Sequence, residues 1–168
     1  RNHRWRVFNV RHKRWVWTTT DRFITSDRVP KRADYAGAPT TKKYEDWFVA
    51  LFAWYWTEGC VKRRKDLKKP TIQITQSQSA NPEKVAMIRA LLKESGEKYC
   101  ETTTHLVHPE KKKRAESYRV DFELYGPVRD RLLALSPAKR IPLEFIFSLT
   151  KPQLEIFIKT SVLGDGCE

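Results

Sequence analysis

The sequence predicts an α+β protein in which an antiparallel four-stranded sheet carries helices on one face, preceded by a small strand-rich segment. Three observations predict it. Apolar residues alternate in "TIQITQSQS" (71–79) and "SYRVDFELY" (117–125), the period of strands with one buried face. Helix start and stop signals bracket "NPEKVAMIRALLKESG" (81–96). The connections between these segments are short, which favours antiparallel neighbours.

Residues 1–19 are strand material: "WRVFNV" and "RWVWTTT" are rich in aromatic, Val and Thr residues and are joined by "RHK". Pro, Gly and Asp then mark turns through "DRFITSDRVPKRADYAGAPTTKK" (21–43). Residues 1–45 are thus a strand-rich segment plus linker, too short for a convincing core of its own. Asp46 caps or begins a helix that runs to about Thr57, with Gly59 as terminator. A strand starts near Cys60, and a basic loop joins it as a hairpin to 71–79. There Ile72 and Ile74 face one way, Gln73 and Thr75 the other.

In 81–96, Asn81 is the N-cap, Pro82 the first helical residue and Gly96 the stop; Val85, Ile88, Leu91 and Leu92 line the apolar face. Two further strands follow, "KYCETTTHLV" (98–107) and 117–125. In the second, Val120, Phe122 and Leu124 lie opposite Arg119, Asp121 and Glu123. A short helix is predicted over about 127–135, helix or irregular core over "IPLEFIFSL" (141–149), and a last helix from Pro152 to Gly164–Gly166. The outer sheet face, rich in Gln, Thr, Arg and acids, needs water or a polar partner.

The 33 Lys and Arg against 20 acids give a formal charge of +13, which favours a polyanion, nucleic acid being the commonest. The charge is uneven: 12 basic residues against four acids in 1–45, six against one in "KRRKDLKK" (62–69), and a third cluster at "KKKR" (111–114). Ribosomal and membrane-surface proteins share such a balance, so charge alone gives only the class of partner. No apolar run reaches membrane-spanning length, and nothing near Arg1 resembles a secretory signal. Cys60, Cys100 and Cys167 form neither a disulfide framework nor a zinc spacing, so an intracellular, reducing setting is expected.

Two helix ends repeat one pattern. "LFAWYWTEGC" (51–60) and "IKTSVLGDGC" (158–167) each end apolar, acid, Gly, Cys, with a smaller residue, Ala53 or Thr160, six places before that Gly. An acid at a helix C-terminus opposes the helix dipole, so it is unfavourable unless something uses it. If these helices pack side by side, Glu58 and Asp165 meet and repel unless a divalent cation lies between them. Mg²⁺ suits oxygen ligands and phosphate together, which points to phosphodiester cleavage.

These segments resemble the paired signature helices of LAGLIDADG homing endonucleases, over roughly residues 46–168. The resemblance implies an αββαββα half-domain (46–149) whose saddle-shaped antiparallel sheet lies in the DNA major groove, followed by the start of a second repeat (150–168). It implies that Glu58 and Asp165 are catalytic, metal-binding acids holding Mg²⁺ or another divalent ion. Ala53 and Thr160 stand where the family's interface helices carry Gly, and Trp54 and Trp56 are bulky for a close seam, so at least one must turn into a core. A second half-domain, in cis beyond Glu168 or as a separate chain, is implied to complete the grip on double-stranded DNA.

By the same resemblance, Gln73, Thr75, Arg119, Asp121 and Glu123 read base edges, in keeping with the pairing of Gln with adenine, Arg with guanine and acids with cytosine N4. Gln76, Gln78, Thr102 and Thr104 are weaker candidates. Lys62, Arg63, Arg64, Lys65, Lys68 and Lys69 are expected to hold phosphates. His105 and His108 are expected at the groove edge rather than on zinc, and Tyr55 and Trp56 in the core. "NHRWRVFNV" with "WVWTTTDRFITSDRVP" resembles the inner part of an intein splicing domain, where His3 matches the Asn-His end of the family's Thr-x-x-His motif. A nucleophilic first residue and a terminal His-Asn pair are absent from this sequence, so it is not expected to splice unaided. The rival readings are an RNA maturase on the same scaffold, a DNA-binding regulator without catalysis, and a basic α+β protein of other ancestry.

Overall fold

A computed structural model describes residues 4–19, 22, 37–63, 69–106 and 117–165. The chain divides into two compact units, residues 1–37 and 38–168. His3, Arg64, Lys65, Lys68, His108 and Cys167 lie outside the described residues.

The first unit contains an antiparallel hairpin of β1 (Arg4–Asn9) and β2 (Arg14–Thr19), in which Val7 pairs with Val16 and Phe8 with Trp15. The Phe8 and Trp15 rings meet edge to face with centroids 5.5 Å apart. The turn is tied by the His12 N–H donating to Asn9 Oδ1 at 2.9 Å, and Lys13 takes positive φ.

The second unit runs α1 (Asp46–Glu58), β3 (Gly59–Lys62), β4 (Thr71–Ser77), α2 (Pro82–Ser95), β5 (Tyr99–Leu106), β6 (Ser117–Leu124), α3 (Gly126–Leu135), α4 (Leu143–Phe147) and α5 (Lys151–Asp165). Its four strands pair antiparallel in the order β3-β4-β6-β5. The α+β class and the antiparallel sheet read from the sequence are therefore present. The segment 141–149 resolves as the single short turn of α4, and the N-cap of α1 is Glu45, one residue before the expected start.

The central helix is α1. Phe48, Val49, Leu51, Phe52, Ala53, Trp54 and Tyr55 are all buried, so the helix is covered on every side rather than along one stripe. Ile72, Ile74, Val120, Phe122 and Leu124 from the sheet, Val85, Ile88 and Leu92 from α2, and Phe145 and Phe157 from α4 and α5 complete the core. Phe52 lies edge-on to Phe145 at 4.6 Å and stacks on Phe157 at 5.9 Å. Trp54 sits in the core, while half-buried Trp56 leans on Phe157 with centroids 6.4 Å apart. Tyr55 is buried too, and its hydroxyl donates to the Ser136 carbonyl at 3.0 Å, which satisfies a group that burial would otherwise penalise.

The N-terminal end of α1 is pinned twice. Gln153, fully buried on α5, donates to the Tyr44 carbonyl (2.6 Å) and to Asp46 Oδ1 (3.0 Å), while Lys42 pairs with the same carboxylate at 2.6 Å. Arg131 on α3 pairs with Glu45 at 2.7 Å and spreads over the Phe48 ring at 4.1 Å. The Arg131 hydrogen bond holds the Glu45 carboxyl below its ordinary value, and the Lys42 hydrogen bond does the same for Asp46. Because both folded values are depressed, their stabilisation is complete above the ordinary carboxylate range and is lost as pH falls through the folded values. Both pairs are substantially exposed, so salt screens them and the effect is modest. Thermal melts should show a smaller loss of Tm between neutral pH and about pH 3 for Glu45→Gln than for the unaltered chain; equal acid limbs would remove Glu45 from the account.

Candidate functional site

The register of the two central strands gathers the polar residues singled out in the sequence. Gln73 pairs with Glu123, Thr75 with Asp121 and Ser77 with Arg119, so all five candidate base-facing side chains share the sheet face away from the core. On the outer strands Cys60 pairs with Gln73, Cys100 with Glu123, Thr102 with Asp121 and Thr104 with Arg119, placing these on the same face. Gln76 does not join them. It pairs with Val120, lies 4 % exposed on the core side and accepts from Asn81 Nδ2 at 3.4 Å. His105 stacks on Tyr118 at 4.9 Å, on the parity of the core side.

The polar residues are bonded to one another. Gln73 Nε2 donates to Thr75 Oγ1 (3.1 Å), Thr75 donates to Asp121 Oδ1 (2.7 Å), and Arg119 donates through Nε to Asp121 Oδ2 (3.1 Å) with Nη2 at 3.0 Å from the same oxygen. Thr71 donates to Glu123 at 2.6 Å, a partner that nothing in the sequence pattern singled out. The Thr75 proton is spent on Asp121, so its oxygen can only accept, which fixes the orientation of the Gln73 amide. Gln73 is 4 % exposed and its Oε1 is a buried acceptor without a partner. The Arg119 side chain is 43 % exposed, against 12 % for Asp121.

The basic candidates sit at the edge of this sheet. Lys62, which ends β3, and Arg63 are exposed. Lys69, just before β4, pairs with Asp130 of α3 at 3.3 Å, a contact open to water. Among the described residues Lys62 and Arg63 carry no such pair.

Two acids stand at the other notable feature, the seam of α1 and α5. The buried residues of α5 are Gln153, Phe157, Thr160 and Gly164, a 4-3-4 spacing that places one stripe of the helix against its neighbour. At Gly164 the approach is so close that an added β-carbon would overlap Thr57 Oγ1 and lie 2.7 Å from Thr57 Cβ. Ala53 and Thr160, the small positions expected at the seam, are buried, and the tightest approach among the described glycines falls one turn later, at Thr57 and Gly164. The residue after each member of that pair is an acid: half-buried Glu58 and exposed Asp165.

Gly59 explains why α1 ends where it does. The chain turns from helix into β3 with no intervening loop, and a β-carbon at Gly59 would lie 2.5 Å from the Tyr55 carbonyl oxygen and 2.8 Å from its ring. The requirement is close approach, since φ there is −89°. Glu58 is thereby locked between the helix and the first strand, one residue before the Gly59–Ile74 pair.

Two carboxylates on the last turns of two touching helices are an oxygen donor set of the kind Mg²⁺ accepts, because that ion keeps several waters and needs few protein ligands. Among the described residues no group of three or more His, Cys, Asp or Glu converges, so any ion there would draw its remaining ligands from water and phosphate. No helix among the described residues is long and apolar enough to cross a membrane. No family model matches the chain, and no curated protein matches it.

Proposed function

We propose that the second unit is a LAGLIDADG-type half-domain of a site-specific, double-strand DNA endonuclease, embedded in an intein. The observation that carries the reading is the seam: two helices touching at Thr57 and Gly164, each delivering an acid at the next residue, beside an antiparallel sheet whose outer face is polar. An acid at a helix C-terminus works against the dipole, so an acid on the last turn of each helix favours a function that uses them.

In this reading Glu58 and Asp165 hold a divalent ion, Mg²⁺ being suited to the oxygen donors. The ion, when bound, supplies an activated water and charge stabilisation at the scissile phosphate. The chain's own residues do the rest. Lys62 and Arg63 neutralise phosphates and set register; Arg64, Lys65, Lys68 and Lys69 belong to the same basic stretch. The polar sheet face approaches base edges in the major groove. A second half-domain, in cis or from another chain, holds the other half of the target. The hairpin of the first unit, with His3 before it, is the remnant of a splicing domain.

The test is cleavage of duplex DNA carrying the uninterrupted host sequence by the chain supplied with its second half-domain, with Mg²⁺ and again after EDTA. Double-strand cutting at one position that disappears with chelation is the expected outcome. Specific binding without cutting would favour a regulator that keeps the scaffold and has lost the chemistry. Preference for folded RNA over the duplex would favour a maturase instead.

A further inference from the structure

We infer that Arg119 is the guanine-reading side chain of the sheet face and that Asp121 is a positioning residue which holds it, rather than a reader of cytosine; the inference rests on the DNA reading above. Both Asp121 oxygens are engaged, Oδ1 by the Thr75 hydroxyl at 2.7 Å and Oδ2 by Arg119. An acid that is nearly covered, with both oxygens engaged, has little left to offer a cytosine amino group.

The bonding pattern on Arg119 is what assigns its role. A guanidinium has five N–H donors; Asp121 takes Nε–H, and Nη2 lies 3.0 Å from the same carboxylate oxygen. That leaves Nη1 and the outer Nη2–H, the end-on fork that meets guanine O6 and N7 as a pair of parallel hydrogen bonds. Arginine carries large rotamer entropy, so a side chain already held by a buried acid loses less of it when a base arrives. The Arg119 side chain is 43 % exposed, while that of Asp121 behind it is nearly covered.

Thr75 and Gln73 belong to the support. Thr75 fixes the acid from β4, across the strand pair, and Gln73 fixes Thr75 through its amide N–H. With its NH₂ donating to Thr75 and its carbonyl buried, Gln73 is not placed to make the two-point contact with adenine that a free glutamine makes. The donors therefore converge on Asp121, from Gln73 through Thr75 on one side and from Arg119 on the other, and Arg119 is the exposed end of the run.

The experiment is selection from a randomised duplex DNA library by the full chain at low salt, followed by sequencing of the bound fraction, for the unaltered protein and for Arg119→Lys, Asp121→Asn and Thr75→Val. The unaltered chain should enrich a guanine at one position. Arg119→Lys keeps the charge but loses the fork, and should reduce the preference for that guanine on the order of tenfold to a hundredfold. Asp121→Asn should relax the same position while other positions keep their preferences, and Thr75→Val should act there more weakly. If Asp121→Asn left the guanine intact and altered a cytosine elsewhere, the acid would be a reader and the inference would be overturned. A guanine that survives Arg119→Lys overturns it equally, and this variant sits on a half-exposed side chain whose replacement leaves the core untouched. Were the unaltered chain to enrich no sequence at all, the DNA reading of the sheet would fall, and the inference with it.

Discussion

Glu58→Gln is expected to lower Mg²⁺-dependent duplex cleavage by at least about a hundredfold, and Asp165→Asn to do the same, while neither lowers thermal stability. The two halves of that expectation come from the same geometry. Each substitution keeps the shape of the side chain and removes one charge, so a metal held by the pair loses an anionic ligand. Each also removes a negative charge from the C-terminal turn of its helix, where the dipole disfavours it. A structural acid would behave the other way, since its loss would strip a hydrogen bond or ion pair from the fold. Cleavage and thermal melts on the same samples decide the matter. The unaltered chain should also gain stability on adding Mg²⁺, by mass action on the folded state, and both variants should lose that gain. Retained cutting in either variant would take that carboxylate out of the chemistry.

Much of the second unit was legible in the sequence because its signals are local. The alternation in 71–79 and 117–125 identified β4 and β6 and which residues of each face the core; Ile72, Ile74, Val120, Phe122 and Leu124 are all buried. Asn81, Pro82 and Gly96 bracketed α2, and Gly96 takes the left-handed conformation (φ 66°) that such a stop requires. What was not legible depends on pairing between distant segments. Gln76, a weaker candidate than Gln73 in the sequence, is turned to the core side by its register against Val120, whereas Thr102 and Thr104 share the polar face. Asp121 and Arg119 read as two separate base readers, and only the folded strand shows them bonded to each other.

The candidate site divides in the same way. The acids were visible as a repeated acid–Gly–Cys ending, whereas the contact that brings their helices together was not, because Thr57 and Gly164 lie one residue earlier and share no residue type. The 4-3-4 spacing of Gln153, Phe157, Thr160 and Gly164 was the available signal, masked by three members of that stripe being polar or glycine. A seam built from small and polar residues looks like a solvated face until its partner helix is known. The small side chains are the point: bulk there would hold the helices apart.

That dependence gives the largest expected effect on folding. In an ordinary helix Gly164→Ala would stabilise by about 1 kcal/mol, because alanine is the better helix former. Here the added carbon would overlap Thr57 Oγ1, whose hydroxyl is itself bonded to the Ala53 carbonyl at 3.0 Å and so is not free to swing aside without losing that bond. The expected net result is a loss of about 1–3 kcal/mol, the range for forcing extra carbon into a packed contact. Thr57→Gly removes all three atoms that a Gly164 β-carbon would meet, the nearest two and Cγ2 at 3.1 Å. Alone it should cost only about 0.3 kcal/mol in helix propensity, threonine being a poor helix former already. Combined with Gly164→Ala it should restore most of the loss, a coupling of roughly 1 kcal/mol or more between residues in direct contact. Denaturant melts of the four proteins measure it. Additive losses would mean that α1 and α5 do not meet at this pair, and the juxtaposition of Glu58 and Asp165 would lose its physical basis. Strong coupling, joined to cleavage that fails in Gly164→Ala and returns in the double variant, would tie the chemistry to the spacing of the two helices and not merely to the presence of two acids.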